Sequence, residues 1–257
     1  MLLALGMLTS LPLPRPADHP ERLAAAAWAY PLIGALIGLT GGLTFLAAVA
    51  LGLGIGSAAL LAIASQILLT GGRHERSLAL LADGFQGFRL TATKASDKAL
   101  GLNGALALIL MIGLRCNGIE DLANSLLAIA EEFEATVSYG TAATIALVLA
   151  GAGSRAAIVW VWFLLPPAPD DDQASLRGDV PLVAALQAGA LALLCGLLLL
   201  SLKLLLAVML AVALVALALR ALGQRRLGGQ SETLLGTTQQ VAEVAILLVL
   251  SATAVTL

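Results

Sequence analysis

Residues 23 to 72 run without a single charged side chain. About 20 helical residues cross the hydrocarbon core of a bilayer, so this stretch alone has room for two crossings. Charged residues make up 12% of the 257 and hydrophobic ones 60%, against roughly 25% charged in a soluble domain. A chain with that balance cannot wrap an apolar core in polar surface. It reads as an all-α, polytopic integral membrane helical bundle of about seven transmembrane helices, in contact with the lipid bilayer throughout. Residues 1–257 form a single membrane-embedded domain in this reading. The net charge of −2, with no basic run, argues against a nucleic-acid partner. Cys116 and Cys195 give neither a disulfide framework nor a metal spacing. The opening MLLALGMLTSLPLPRP lacks a positive n-region and a small-residue cleavage site, so it reads as an interfacial lead-in ended by Pro12 and Pro14.

Taken in order, the apolar runs predict spans at Trp28–Leu51 and Ser57–Leu69, turning at LGLGIG, and a short third at Ala99–Leu114. Residues 115–140 set Glu120, Asp121, Glu131, Glu132 and Glu134 beside apolar residues at helical spacing, which predicts an amphipathic surface helix. A fourth span is expected over Thr141–Leu165, two more meet near Lys203 within Val180–Leu219, and the last covers Val241–Leu257. Arg155 falls inside the fourth span, where an arginine either pairs with another helix, snorkels, or meets an anion such as phosphate. Asp170, Asp171 and Asp172 lie together in a proline-bounded loop and read as solvated charges.

The belt from Thr70 to Gly104 holds five of the fourteen Lys and Arg residues and one of the two His. A polar segment in such a chain sits at the bilayer surface or lines a wet cavity, so chemistry is expected there. Cytoplasmic loops retain Lys and Arg, and Arg73, Arg76, Arg89, Lys94 and Lys98 mark this belt as cytoplasmic. Arg220, Arg225 and Arg226 mark a second belt, RALGQRRLGGQSETLLGTTQQ, and seven spans put both on one face. The expectation is a multi-pass inner-membrane protein with its active face cytoplasmic. Gly71-Gly72 and Gly228-Gly229 either bring backbone close to a phosphate or simply stop helices.

TGGRHERSLALLADGFQG resembles the signature of the adenosylcobinamide-GDP ribazoletransferase (cobalamin synthase) family, which reads approximately T-G-G-x-H-x-D-G-L-A-D-x-x-D-G-x-x-G. LTSLPLP, WAYPLIGALIG, SDKALGLNGALALIL, SRAA at 154–157, LPPA at 165–168 and RRLGGQSETLLGTTQQ are similar to further family elements in the same order. The resemblance implies a Mg²⁺-dependent transferase. It would join adenosylcobinamide-GDP to alpha-ribazole, or to its 5′-phosphate, with release of GMP. It implies catalytic roles for His74, Asp83 and Asp97, and metal ligation by Asp83 and Asp97 with Glu75 as a neighbouring substitute. Gly71, Gly72, Lys98, Arg155, Gly228 and Gly229 are the implied substrate-binding residues. Carboxylates at i, i+4 and i+7 along one helix face would hold a cation against a pyrophosphate.

The departures from the pattern fall on that chemistry. The first two family aspartates correspond to Arg76 and Leu80, and the later T-G-D reads Ser231, Glu232, Thr233. A family-like scaffold with weak or lost activity is therefore one alternative. A small membrane transporter, with Arg155 and Lys203 as pathway charges, is another.

Overall fold

The computed structural model describes residues 1–12, 20–84, 100–133, 139–169, 171, 174 and 177–254. Ten α-helices are defined among them: α1 (Leu2–Leu8), α2 (Pro20–Ala25), α3 (Tyr30–Ala50), α4 (Ile55–Thr70), α5 (Arg73–Gly84), α6 (Leu102–Phe133), α7 (Tyr139–Leu164), α8 (Leu182–Leu199), α9 (Leu202–Leu222) and α10 (Glu232–Ala254). A 3₁₀ turn, Ala26–Ala29, joins α2 to α3, and a π turn, Gly223–Leu227, extends α9. Six helical stretches are long and apolar enough to cross a membrane, or seven if α4 and α5 count as one bent span. The all-α, multi-pass expectation holds.

The packing starts from a stripe of glycines. Gly34, Gly38 and Gly42 recur every four residues along one face of α3, and a Cβ at the three would collide with Gly151, Leu147 and Thr144 of α7 respectively. Lipid tails are as apolar as leucine, so membrane helices associate through close backbone packing, which small residues at i and i+4 allow. The pairing runs antiparallel, since rising numbers on α3 meet falling numbers on α7. Around this seam Phe45, Ile63, Ile119, Leu147, Ile246 and Leu247 form a fully buried core at one end. The leucines of α8 and α9 face outward, among them Leu198, Leu206, Leu210 and Leu214.

Several expected boundaries hold, and two do not. The turn near Lys203 falls between Leu199 and Leu202, and α4 begins and ends within two residues of expectation. The surface helix over 115–140 is overturned: α6 runs unbroken from Leu102 to Phe133, and Leu102–Ser125 has the length and composition of a crossing. Arg115, Ile119, Leu122 and Ala123 are buried. At about 1.5 Å per residue, Glu120 lies some 27 Å from the start of α6, so Glu120 and Asp121 sit where the helix leaves a core about 30 Å thick. The last helix also starts earlier than Val241, at Glu232, which carries half of the second polar belt into the bundle.

Chain direction then gathers the polar connections at one end. α4 arrives there, α6 departs from there, α7 ends there and α8 begins there, as do the end of α9 and the start of α10. Contacts across the connections agree: Ser77 Oγ donates to the Glu232 carbonyl at 3.4 Å, and Ala168 N–H donates to the Gln230 carbonyl at 3.0 Å. The two belts share one face, as the charge pattern predicted. α1 is clipped to the same end, its Met7 carbonyl accepting from Arg73 Nη1 at 3.0 Å and the following Ser10 N–H donating to Leu69. The lead-in helix ends at Leu8, ahead of Pro12.

Candidate functional site

The site is built on α5, the helix of the first belt. Gly71 and Gly72 both have positive φ, +69° and +64°, a region that costs L side chains strain but is open to glycine. They stop α4 and turn the chain through 92° into α5, so α5 lies across the end of the bundle instead of continuing through it. The helix-stop reading of this pair is the one the geometry supports. Gly228 (φ +72°) ends the π turn in the same way, and Gly229 lies so close to the Pro166 carbonyl that a Cβ would not fit.

Asp83, at the far end of α5, turns its carboxylate onto the start of α6. Oδ2 accepts from Gly101 N–H at 2.8 Å and Oδ1 from Gly104 N–H at 2.7 Å. A Cβ at either glycine would strike that carboxylate. The aspartate and the two glycines are therefore one structural unit, an anion seated on otherwise unsatisfied N–H groups at a helix N-terminus. Asp83 fixes the angle between α5 and α6.

His74 and Ser77 lie on the inner side of α5 against α10, where Gly236 permits contact by lacking a side chain. Burial first, and the charge of Arg155 second, push the His74 imidazole down to about 3. It is neutral at pH 7 and a weak proton acceptor, so its chemistry is that of an uncharged hydrogen-bonding group. Arg76 is exposed and Leu80 partly buried, and neither joins Asp83 in a carboxylate face.

Beneath α5 the five helices α4, α5, α6, α7 and α10 contribute to one buried polar network. Glu243 of α10 is 2% exposed and lies between two guanidiniums. Arg115 Nη2 meets its Oε1 at 2.5 Å and Arg155 Nη1 its Oε2 at 2.7 Å. Arg115 also donates to Gln66 Oε1 at 2.6 Å and reaches Glu75 Oε1 at 3.4 Å. Gln240 donates to Glu75 at 2.8 Å and to Gln239 at 2.9 Å, and Gln239 donates to Glu243. Charges at membrane depth are costly unless paired, and here two arginines meet two glutamates. Arg155 is thus a helix-pairing residue. Arg115 and Glu243 were not foreseen as a pair. The available signal was that a lone carboxylate in VAEVAILLVL and a lone arginine in a second span need each other.

Asp171 departs from the expectation of a solvated loop. Its Oδ2 accepts from Arg177 Nη2 at 3.0 Å and from Glu232 N–H at 3.1 Å, tying the α7–α8 connection to the N-terminus of α10. Ser231 completes that end by accepting from Leu234 N–H at 3.1 Å.

The described residues do not compose a magnesium site. Among them no three His, Cys, Asp or Glu side chains come together. Asp83 spends both oxygens on α6, and Glu75 Oε1 is held by Arg115 and Gln240. Asp97 and Lys98 lie outside the described residues.

The fold and this polar end define an integral membrane protein of the multi-pass helical class, with buried charge pairing and a polar face at one end. A family model described as Cobalamin-5-phosphate synthase matches residues 1–251, and the chain belongs to that family. It is 37% identical over 252 residues to the adenosylcobinamide-GDP ribazoletransferase of Mesorhizobium japonicum, covering 97% of this chain and 91% of that protein. It is 35% identical over 245 residues to the Bradyrhizobium diazoefficiens protein of that name (90% and 84% covered). A third, from Allorhizobium ampelinum, is 36% identical over 256 residues (95% and 93% covered). No solved structure matches the chain.

Proposed function

We propose that the face where α5, the α7–α8 connection and the α9–α10 turn meet is the cytoplasmic face of the inner membrane and the place of group transfer. The protein is an adenosylcobinamide-GDP ribazoletransferase of cobalamin synthesis. The observation that carries the reading is the family match over residues 1–251, on a fold whose belts converge at one end. A transporter is not favoured, because the membrane-depth charges close on one another instead of lining a path. An inactive scaffold is not favoured either, since the relatives carry the enzyme's name along nearly their full length.

In the reaction read for this family, a hydroxyl of alpha-ribazole or of its 5′-phosphate attacks the phosphorus on the cobinamide side of the pyrophosphate. A new P–O bond forms, the bond to GMP breaks, and the hydroxyl proton passes to solvent water. A neutral His74 contributes here as a hydrogen-bond donor to a phosphate oxygen. Gly71, Gly72, Gly228 and Gly229 shape the turns that border the face. Magnesium, when bound, would neutralise the pyrophosphate charge. The described residues bring no carboxylate cluster together to hold it, since Asp83 is engaged by Gly101 and Gly104 and Glu75 Oε1 by Arg115 and Gln240. A magnesium titration of chelator-stripped protein, followed by turnover and by thermal stability, tests that requirement.

The decisive experiment is complementation of a strain lacking cobalamin synthase, with GMP release by the purified protein as its biochemical counterpart. Growth and stoichiometric GMP support the reading, and absence of both from a folded, membrane-inserted protein overturns it. For the face, cysteines in place of Arg76 and Arg226, both exposed, should react with an impermeant maleimide from the cytoplasmic side alone.

A further inference from the structure

Between α6 and α9, at the end that carries the belts, lies a cavity of about 480 Å³. Asn103, Leu106 and Leu110 of α6 form one wall, and Leu219 and Leu222 of α9 the other. The back is closed by α5 together with Thr237 and Val241 of α10. Seven residues separate Asn103 from Leu110, so the cavity runs about 10 Å along α6, into the membrane. Leu106 and Leu110 are 49% and 65% exposed, which leaves its edge open sideways to the bilayer.

Water does not suit this space. A buried water needs two to four polar partners, and the wall is apolar apart from Asn103 and Thr237. A slot with apolar walls at hydrocarbon depth, open to lipid, is filled by an acyl chain. Its polar end is equally specific: Asn103 lines it in the first turn of α6, and one turn beyond Leu222 the chain presents Arg225 and Arg226, both exposed. A cationic pair above an apolar slot complements a phosphate above a hydrocarbon chain. We propose that this groove binds one anionic phospholipid, its acyl chain packed against Leu78 and Leu81 of α5 and its headgroup held by Arg225 and Arg226. The same helix carries His74 and Asp83, so the lipid braces it from behind.

The inference is tested on the full-length protein in nanodiscs of phosphatidylcholine with or without phosphatidylglycerol, by native mass spectrometry of retained lipid and by thermal shift. Phosphatidylglycerol should be retained in preference, by about fivefold for each participating arginine. Arg225→Gln with Arg226→Gln should abolish the preference while leaving the unfolding midpoint in phosphatidylcholine discs at the parent's value. Ala107→Trp, which fills the groove, should abolish lipid retention, whereas Leu214→Trp on the exposed face of α9 should not. Equal retention of the two lipids, or an undiminished preference in the arginine double variant, overturns the proposal. So does equal stabilisation by inorganic phosphate in detergent, displacement of the lipid by alpha-ribazole, or a cross-linked second copy across Leu106 and Leu219. Lipid retention is read without turnover, so its failure is separable from failure of the transferase reading.

Discussion

Glu243→Gln preserves size and hydrogen-bonding shape but removes the one carboxylate that Arg115 and Arg155 approach at 2.5 and 2.7 Å. Among the described residues the two guanidiniums, 2% and 3% exposed, would then have only Glu75, 3.4 Å from Arg115, as a counter-charge. Breaking a buried ion pair from one side costs about 3–5 kcal/mol, a large share of the 5–15 kcal/mol that holds a typical domain folded. The expected result is a sharply lower unfolding midpoint in a detergent-to-denaturant titration and poor accumulation in membranes. The companion Arg155→Met with Glu243→Gln removes one charge of each sign and leaves Arg115 to Glu75. It should recover much of the loss, because replacing a whole buried pair is near neutral where halving it is not. A single variant within about 1 kcal/mol of the parent, or a double variant less stable than the single, would refute the assignment of Glu243 as the shared counter-ion.

Asp83→Ala should lose about 1–2 kcal/mol as the cap on α6 disappears, and Asp83→Asn less, since one oxygen still accepts; equal losses in thermal melts would remove the cap from the account. Gly38→Val should prevent assembly of the α3–α7 seam, where a Cβ already meets the Leu147 backbone, while Gly113→Ala, with nothing within 4 Å, should be neutral or gain up to about 1 kcal/mol. For His74 the folded value near 3 lies below the ordinary 6.5, so the unfolded chain takes up a proton that the folded one refuses. Its contribution to stability is complete above pH 6.5 and is lost as pH falls from there toward 3. His74→Gln should flatten that stretch of the stability profile, and an unchanged slope would place the titration elsewhere.

What could be read from the sequence followed the range of the interactions. The breaks at LGLGIG and near Lys203 are local: glycines or a polar residue interrupt an apolar run, and the helices stop there. The common face of the two belts came from charge counting, which senses the bilayer and needs no contact map. Arg115 was misplaced because its partners are 49 and 128 residues away, so in its own neighbourhood it resembles the start of a surface helix. Asp83 is legible as important, and the fold adds a structural part to it. Motif spacing shows that a carboxylate is wanted, whereas only the folded chain shows Gly101 and Gly104 receiving it. Asp171 reads as a solvated charge in sequence because its targets, Arg177 and the Glu232 amide, meet it only in the folded chain.

The pairing of Arg155 with Glu243 also orders events during synthesis. Eighty-eight residues separate them, which at 5–20 residues per second is about 4–18 s of translation. Through that interval Arg155 of α7 has, among the described residues, no carboxylate to meet, whereas Arg115 of α6 already has Glu75 of α5. The charge network therefore closes only when the last helix brings Glu243 to Arg155. A chain cut short before α10 would leave Arg155 with no carboxylate and Arg115 with Glu75 alone, so that closure of the charge network is written into the C-terminal helix.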